Sequence, residues 1–440
     1  MSALALDAGA QTKAATRAGL LRGSREDGVT VFRGVAYAAP ARRFALPAPP
    51  VPWRGVREAR AFGPPAAQRP GRMSWVPGLE IDPEAGRENS LTLNVWTPGP
   101  GDRPVLVFLH GGAFVSGSGA QPMYRGDVLA REHGLVVVTV NYRLGLLGFA
   151  CNDHIPANLG LRDQVAALEW VRANIAAFGG DPDRVTLAGH SAGGTSVLAL
   201  MAAPAARGLF ARAALMSALP YGFASTERAR AITGAFLRSL GRALPRSARL
   251  RSVLGAEEAA VAARPPVEGV LPVAPVVDGE FLPRHPMDAV RAGAAARVPL
   301  LVTTAEEEMR LFAALDPDGL SRAGVRTEVV FDRPAAELAR WHRAHGAPVR
   351  RVRFGHRSPL ARAGVTLGAA HLVDVPLQLG TYQDERISRL TGPGAAALGR
   401  DATAAFAAFC QGSDNEGKEG RPCRTRSASR SSDRATSAPT

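Results

Sequence analysis

Arg184-Val185-Thr186-Leu187-Ala188-Gly189-His190-Ser191-Ala192-Gly193 is the stretch that decides the fold. A short apolar run with the length of a buried strand leads into Gly-x-Ser-x-Gly, and residues 195–203 resume at helical spacing. Glycines at both ends permit a tight turn that lifts a serine above the strand end, and the following helix aims its N-terminal amides at a developing anion. Ser191 is therefore the candidate nucleophile. The bland alternative is a chance Gly/Ser turn, and only the surroundings separate the two.

Working outward, residues 104–109 and 135–140 are further apolar runs of strand length, and 298–303 and 349–354 repeat the signal nearer the C-terminus. Between them Val165, Ala166, Leu168, Val171, Ile175 and Ala176 fall at helical spacing within 163–177. Strands alternating with helices predict an α/β protein with a mostly parallel central sheet flanked by helices. Residues 220–286, rich in Ala, Leu and Arg, suggest an inserted helical cap region over about 220–290. Directly after the run ending at Leu109 comes His110-Gly111-Gly112-Ala113-Phe114, where glycines let backbone N–H groups approach a carbonyl oxygen. That loop is an oxyanion-hole candidate, its alternative being a flexible Gly-rich loop without chemistry. Two such loops, each in its required context, point to a hydrolase.

Composition bounds the rest. With 440 residues, 46% hydrophobic and 21% charged, the chain can bury a large core and is not disordered in bulk. The net charge of +14 raises nucleic acid or an anionic surface as partners. However, all the basic residues except Lys13 and Lys418 are arginine, and no basic and aromatic interleaving is visible, so no nucleic-acid partner is expected. Cys151, Cys410 and Cys423 fit neither a disulfide framework nor a metal site. No basic and apolar leader opens the chain, and no apolar run reaches a membrane span. The expectation is a cytoplasmic protein without metal or organic cofactor. Residues 1–18 are expected to be a disordered N-terminus, and 19–415 the catalytic domain. Residues 416–440, rich in Ser, Thr, Arg and Gly, are expected to be a disordered tail of the kind an aberrant terminus produces.

Several further segments give the chain a resemblance to the type-B carboxylesterases (the carboxylesterase/cholinesterase family), nearest the bacterial para-nitrobenzyl-esterase-like members. They are Val31-Phe32-Arg33-Gly34-Val35-Ala36-Tyr37-Ala38, Glu88-Asn89-Ser90-Leu91-Thr92-Leu93-Asn94-Val95, Asn141-Tyr142-Arg143-Leu144-Gly145, and Asn158-Leu159-Gly160-Leu161-Arg162-Asp163-Gln164 with Phe178-Gly179-Gly180-Asp181-Pro182. The resemblance implies an α/β-hydrolase fold and a small-molecule ester substrate. It implies a triad acid in the segment 299–308, on Glu308 in an ungapped reading and on Glu307 after a one-residue slip. It also implies a base at His371, within Gly368-Ala369-Ala370-His371-Leu372-Val373-Asp374. His342, His345 and His356 lie in charged surroundings typical of a surface. Ser191, Glu308 and His371 then follow the chain order of this fold.

On that reading Ser191 attacks an ester carbonyl, His371 takes its proton, and Glu308 orients the imidazolium. Backbone N–H groups of Gly112, Ala113 and Ala192 hold the oxyanion. The resemblance further pairs Arg33 with Glu88 and Arg143 with Asp181. Three departures from the family pattern stand out: Ser90 where secreted relatives carry a disulfide cysteine, His190 for the usual glutamate before the nucleophile, and Ala113 for the third glycine of the oxyanion loop. Two other readings keep the fold, namely a cholinesterase-like binding protein without catalysis, and an amide or lactam hydrolase using the same triad.

Overall fold

In the computed structural model, which describes residues 12–413 except 41, 242–246, 264–270 and 272, the apolar runs pair into one nine-stranded sheet. Its strands are β1 (Ser24–Glu26), β2 (Val29–Ala36), β3 (Thr92–Thr97), β4 (Arg103–Leu109), β5 (Val136–Val140), β6 (Gly180–His190), β7 (Arg212–Met216), β8 (Leu300–Ala305) and β9 (Val349–Phe354). The order across the sheet is β9-β8-β7-β6-β4-β5-β3-β2-β1. From β9 to β5 every pair is parallel. From β5 to β1 every pair is antiparallel.

Central strands read as continuous apolar runs because both their faces are covered. Along β4 the side chains alternate, Val105, Val107 and Leu109 entering one core and Leu106 and Phe108 another. Helices α1 (Leu159–Asn174) and α2 (Ala192–Ala202) cover the first face with Leu161, Leu168 and Val197. On the second face, residues of α6 (Val375–Leu379) and α7 (Ala395–Gln411) such as Val375, Phe406 and Phe409 do the same. β9 is an edge strand. Its half-buried Arg350 and Arg351 and exposed Arg353 give that edge the charge that discourages pairing with another chain.

The predicted insertion carries α3 (Thr226–Ser239) and α4 (Leu250–Ala262). Its two ends meet in a short parallel pair, Ala224–Ser225 beside Val276–Val277. Asn158, held in the left-handed region at φ 62°, fastens that pair: its amide donates to the Val276 carbonyl at 2.8 Å and its carbonyl accepts the Val276 N–H at 2.7 Å.

Three expectations are corrected here. Residues 13–18 are ordered, because Lys13–Thr16 pairs with Gly19–Arg22 as a hairpin that buries Ala14, Ala18 and Leu21 and docks through the Arg17 N–H on Asn174. Residues 1–11 and the tail 416–440 lie outside the described residues. Arg33 does not pair with Glu88. It reaches across the β1–β2 hairpin to Glu26, whose carboxyl it holds down near pH 2, while Arg43 takes Glu88 with a two-pronged contact at 2.7 Å. Arg143 does not pair with Asp181. Its guanidinium grips both oxygens of Asp163 in the first turns of α1 at 2.6 and 2.7 Å, whereas Asp181 caps its own turn through the Asp183 N–H.

The Arg143–Asp163 pair is almost wholly buried, with side-chain exposures of 6% and 0%. Removing one partner leaves a buried charge alone, so Asp163→Ala is expected to cost about 3–5 kcal/mol of stability. Asp181→Ala, which breaks only a turn cap, is expected to cost about 1 kcal/mol or less. Urea denaturation midpoints of the two variants test this order, and equal losses would refute the reassignment. Among the described residues no helix is long and apolar enough to cross a membrane.

Candidate active site

β6 ends at His190 and α2 starts at Ala192, leaving Ser191 alone at the corner with φ 56° and ψ −119°. A non-glycine residue in that region costs on the order of 1–3 kcal/mol and persists only where its surroundings impose it. The Ser191 N–H is tied to the Met216 carbonyl of β7 at 2.8 Å, and its carbonyl accepts the Thr195 N–H at 2.9 Å. The flanking glycines are needed for closeness. A Cβ on Gly193 would collide with the Leu109 carbonyl, and one on Gly189 with the Gly193 backbone.

The loop after β4 lies against this corner. A Cβ on Gly111 would stand 3.2 Å from the Ser191 Cβ, so only hydrogen fits there without displacement. Gly112, Ala113 and Phe114 follow with φ of 118°, 55° and 62°. Gly145 pins the strained loop by donating to the Phe114 carbonyl at 2.7 Å. Among the described residues no protein acceptor takes the N–H groups of Gly112, Ala113 or Ala192. Three donors without partners beside a strained serine are what an oxyanion requires. His110 stacks on Tyr142 with ring centroids 4.4 Å apart, and burial lowers its pKa to about 4.

Of the three successive carboxylates after β8, Glu308 is fully buried. One of its oxygens accepts the Ala305 N–H at 2.8 Å and the other meets His371 Nδ1 at 2.6 Å. Glu307 instead binds the Ala369 N–H and faces Arg357 at 2.9 Å, and the Glu306 carboxylate lies against Gly355. His371, ahead of α6, is thus joined to Glu308 and to neither neighbour. Ser191 is 8% exposed and its hydroxyl makes no hydrogen bond with His371 in this structure. That contact is commonly long in a free enzyme and tightens on the substrate.

Residues beyond the three also surround the imidazole. The rings of Phe312 and Phe331 lie 5.4 Å from it, and that of His190 4.7 Å. Among the described residues both nitrogens of His190 lack partners, and burial first, then His371, hold it well below the usual imidazole range, so it is neutral. Asp374 stands three residues after His371. Burial, then Glu308, raises its carboxyl to about 7, and one of its oxygens accepts from Gln378 at 2.9 Å. The spacing of three at a helix start was the only sequence signal for Asp374, and Phe331 had none. His342 and His356 are not surface residues. Both are buried, each satisfied by a backbone carbonyl, of Val298 and Thr391 respectively.

The raised Asp374 value has a consequence for stability. Between about pH 4 and 7 the folded protein keeps a proton that the unfolded chain has lost, so this group makes stability fall as pH rises through that window. Asp374→Asn is expected to remove that slope from thermal unfolding midpoints recorded across pH 4–8. An unchanged slope would show that Asp374 is not its source. Among the described residues no cluster of three or more His, Cys, Asp or Glu side chains could hold a metal ion.

A mostly parallel sheet covered by helices, with a serine on a strained strand-to-helix turn, is the architecture of an α/β hydrolase. Sequence comparison refines that class. The Carboxylesterase family model matches residues 10–325. A probable N-octanoylanthranilate hydrolase, AqdA2, of Rhodococcus erythropolis is 40% identical over 85% of this chain and 87% of its own length. The para-nitrobenzyl esterase of Bacillus subtilis (strain 168) is 38% identical over 73% and 68%. Among solved structures, the carboxylesterase EST55 of Geobacillus stearothermophilus superimposes with a TM-score of 0.80 at 34% identity, covering 92% of both chains. The chain belongs to the carboxylesterase family, and it is a serine carboxylic-ester hydrolase of type B.

Proposed function

We propose that Ser191, His371 and Glu308 are the triad of this esterase. The observation that carries the reading is the fully buried 2.6 Å contact of Glu308 with His371 Nδ1, which leaves Nε2 as the ring's only free nitrogen for the serine. Ser191 Oγ attacks the ester carbonyl carbon while His371 Nε2 takes its proton. The carbonyl π electrons move to oxygen, where the N–H groups of Gly112, Ala113 and Ala192 stabilise the charge, each donor being worth on the order of 10²–10³ in rate. Collapse breaks the bond to the alcohol oxygen, which leaves with the proton from His371. Water, deprotonated by the same nitrogen, then attacks the acyl carbon, the bond to Ser191 Oγ breaks as Oγ takes the proton back from His371, and the carboxylic acid leaves.

The same groups would serve an N-acyl substrate, a reading favoured by the name of the 40% identical relative, an N-octanoylanthranilate hydrolase. A binding protein without catalysis is disfavoured by the complete Ser, Glu and His set. The buried free thiol of Cys151 suits the reducing cytoplasm.

A fluorophosphonate probe tests the nucleophile. It is expected to inactivate the enzyme at one label per chain, with peptide mapping on Ser191. The obvious competitor is Ser217, also at positive φ, with a buried hydroxyl that lacks a partner among the described residues. A label there would overturn the assignment.

A further inference from the structure

Residues 323–344 form one helical run, α-helical over Ala323–Thr327, π-helical over Glu328–Asp332, and α-helical again as α5 (Arg333–Ala344). Its inner face supports the triad. Thr327 accepts the N–H of Met309, the residue after Glu308, at 3.1 Å, and Phe331 is one of the rings against His371. Its outer face is unusual for a surface in water. Val325 is 70% exposed and Val329, one turn on, 50%, with Leu320 just ahead at 37%. Beside the run stands Tyr221, 53% exposed, whose hydroxyl donates to Glu337 at 2.9 Å. The same face carries Arg322, Arg326, Arg333 and Arg340, all exposed and, among the described residues, none in an ion pair. Glu328 is the only exposed carboxylate within 323–344, and Asp316 and Asp318 are exposed ahead of Leu320, so the four arginines remain in excess.

We propose that this outer face docks the protein on an anionic lipid bilayer. β-branched side chains standing in water between long cationic ones form the pattern of an amphipathic helix lying in a membrane interface: the valines enter the acyl boundary and the guanidiniums meet the phosphates. Charge selects the occupant. A second copy would set four unpaired arginines against four more within a chain of net charge +14, and a basic protein partner would meet the same repulsion. A nucleic acid would satisfy the arginines but calls for planar stacking surfaces, and the central apolar side chains here are aliphatic. The inference is independent of which residues perform the chemistry. It gives a role to the arginine excess that the catalytic site does not use, and it brings acyl esters dissolved in a bilayer to an element whose other face holds the acid and base.

The test is co-sedimentation of the full chain with vesicles of phosphatidylcholine alone or with added phosphatidylglycerol. Binding is expected only to the anionic vesicles, weakening as salt rises. Val325→Asp with Val329→Asp is expected to lower the partition coefficient about tenfold or more. Arg322→Gln with Arg326→Gln is expected to lower it and flatten its salt dependence. Turnover of p-nitrophenyl acetate without vesicles is expected to stay at the wild-type level in all four substitutions, confirming the fold. Equal partition onto neutral and anionic vesicles, or variants that bind like wild type, would overturn the proposal. So would sedimentation velocity showing a dimer that Val325→Asp dissociates, which would make the face an interface between copies.

Discussion

Ser191→Ala is expected to lower turnover of p-nitrophenyl butyrate by about 10⁴–10⁶-fold with no loss of fold. The large effect follows from the nucleophile and base acting as one unit: without Oγ, His371 has no proton to take, and only the oxyanion donors and substrate binding remain. The intact fold follows from what the hydroxyl touches. Among the described residues it makes no hydrogen bond, and the corner is held by the backbone contacts to Met216 and Thr195, which alanine keeps. Thermal unfolding midpoints within a few degrees of wild type, together with lost turnover, are the expected pair of results. A variant that retains comparable activity would remove Ser191 from the mechanism.

Glu308→Gln is expected to lower the same turnover by about 10⁴-fold, because the glutamine amide can offer an N–H to His371 Nδ1 and so favour the tautomer whose Nε2 already carries the proton. Such a ring cannot accept from the serine. Glu307→Gln loses only two partly exposed ion pairs, with Arg357 and Arg310, each worth roughly 0–1 kcal/mol, and is expected to stay within tenfold of wild type. The contrast separates two carboxylates that differ by one position in the chain. A severe Glu307→Gln beside a mild Glu308→Gln would mean that the acid is the neighbour.

Local rules made part of this molecule legible. The corner at Ser191 could be read because its glycines answer a strictly local need, that of a helix crossing a strand too closely for a Cβ at Gly193. The strands could be read because burial on both faces makes β4 from Val105 to Leu109 wholly apolar and leaves β5 a single polar side chain, Thr139, whose hydroxyl is satisfied by Asn94 and the Gly119 carbonyl. Charge pairing was not legible to the same degree. A guanidinium reaches far enough that its partner depends on which element folds beside it, so Arg143 found Asp163 on α1 and Arg43 took the carboxylate assigned to Arg33. Charged neighbours likewise misrepresented His342, because a helix sends them outward while the imidazole turns inward to the Val298 carbonyl. The ring of Phe331 against His371 left no trace in the sequence. That contact depends on how the run 323–344 folds back over the end of β8.

The three members of the proposed triad are dispersed along the chain, on the corner after β6, in the turn after β8, and ahead of α6. Their wide spacing acquires a meaning in time once the protein is made on a ribosome. Ser191 leaves the exit tunnel roughly 180 residues before His371, and at about 5–20 residues per second that is an interval of roughly 10–35 s. Throughout it the nascent polypeptide holds a nucleophile with no base to activate it. With the proposed triad, newly synthesised chains are expected to stay silent toward the esters around them until the segment leading into α6 has docked, competence arriving only when tertiary assembly is nearly complete.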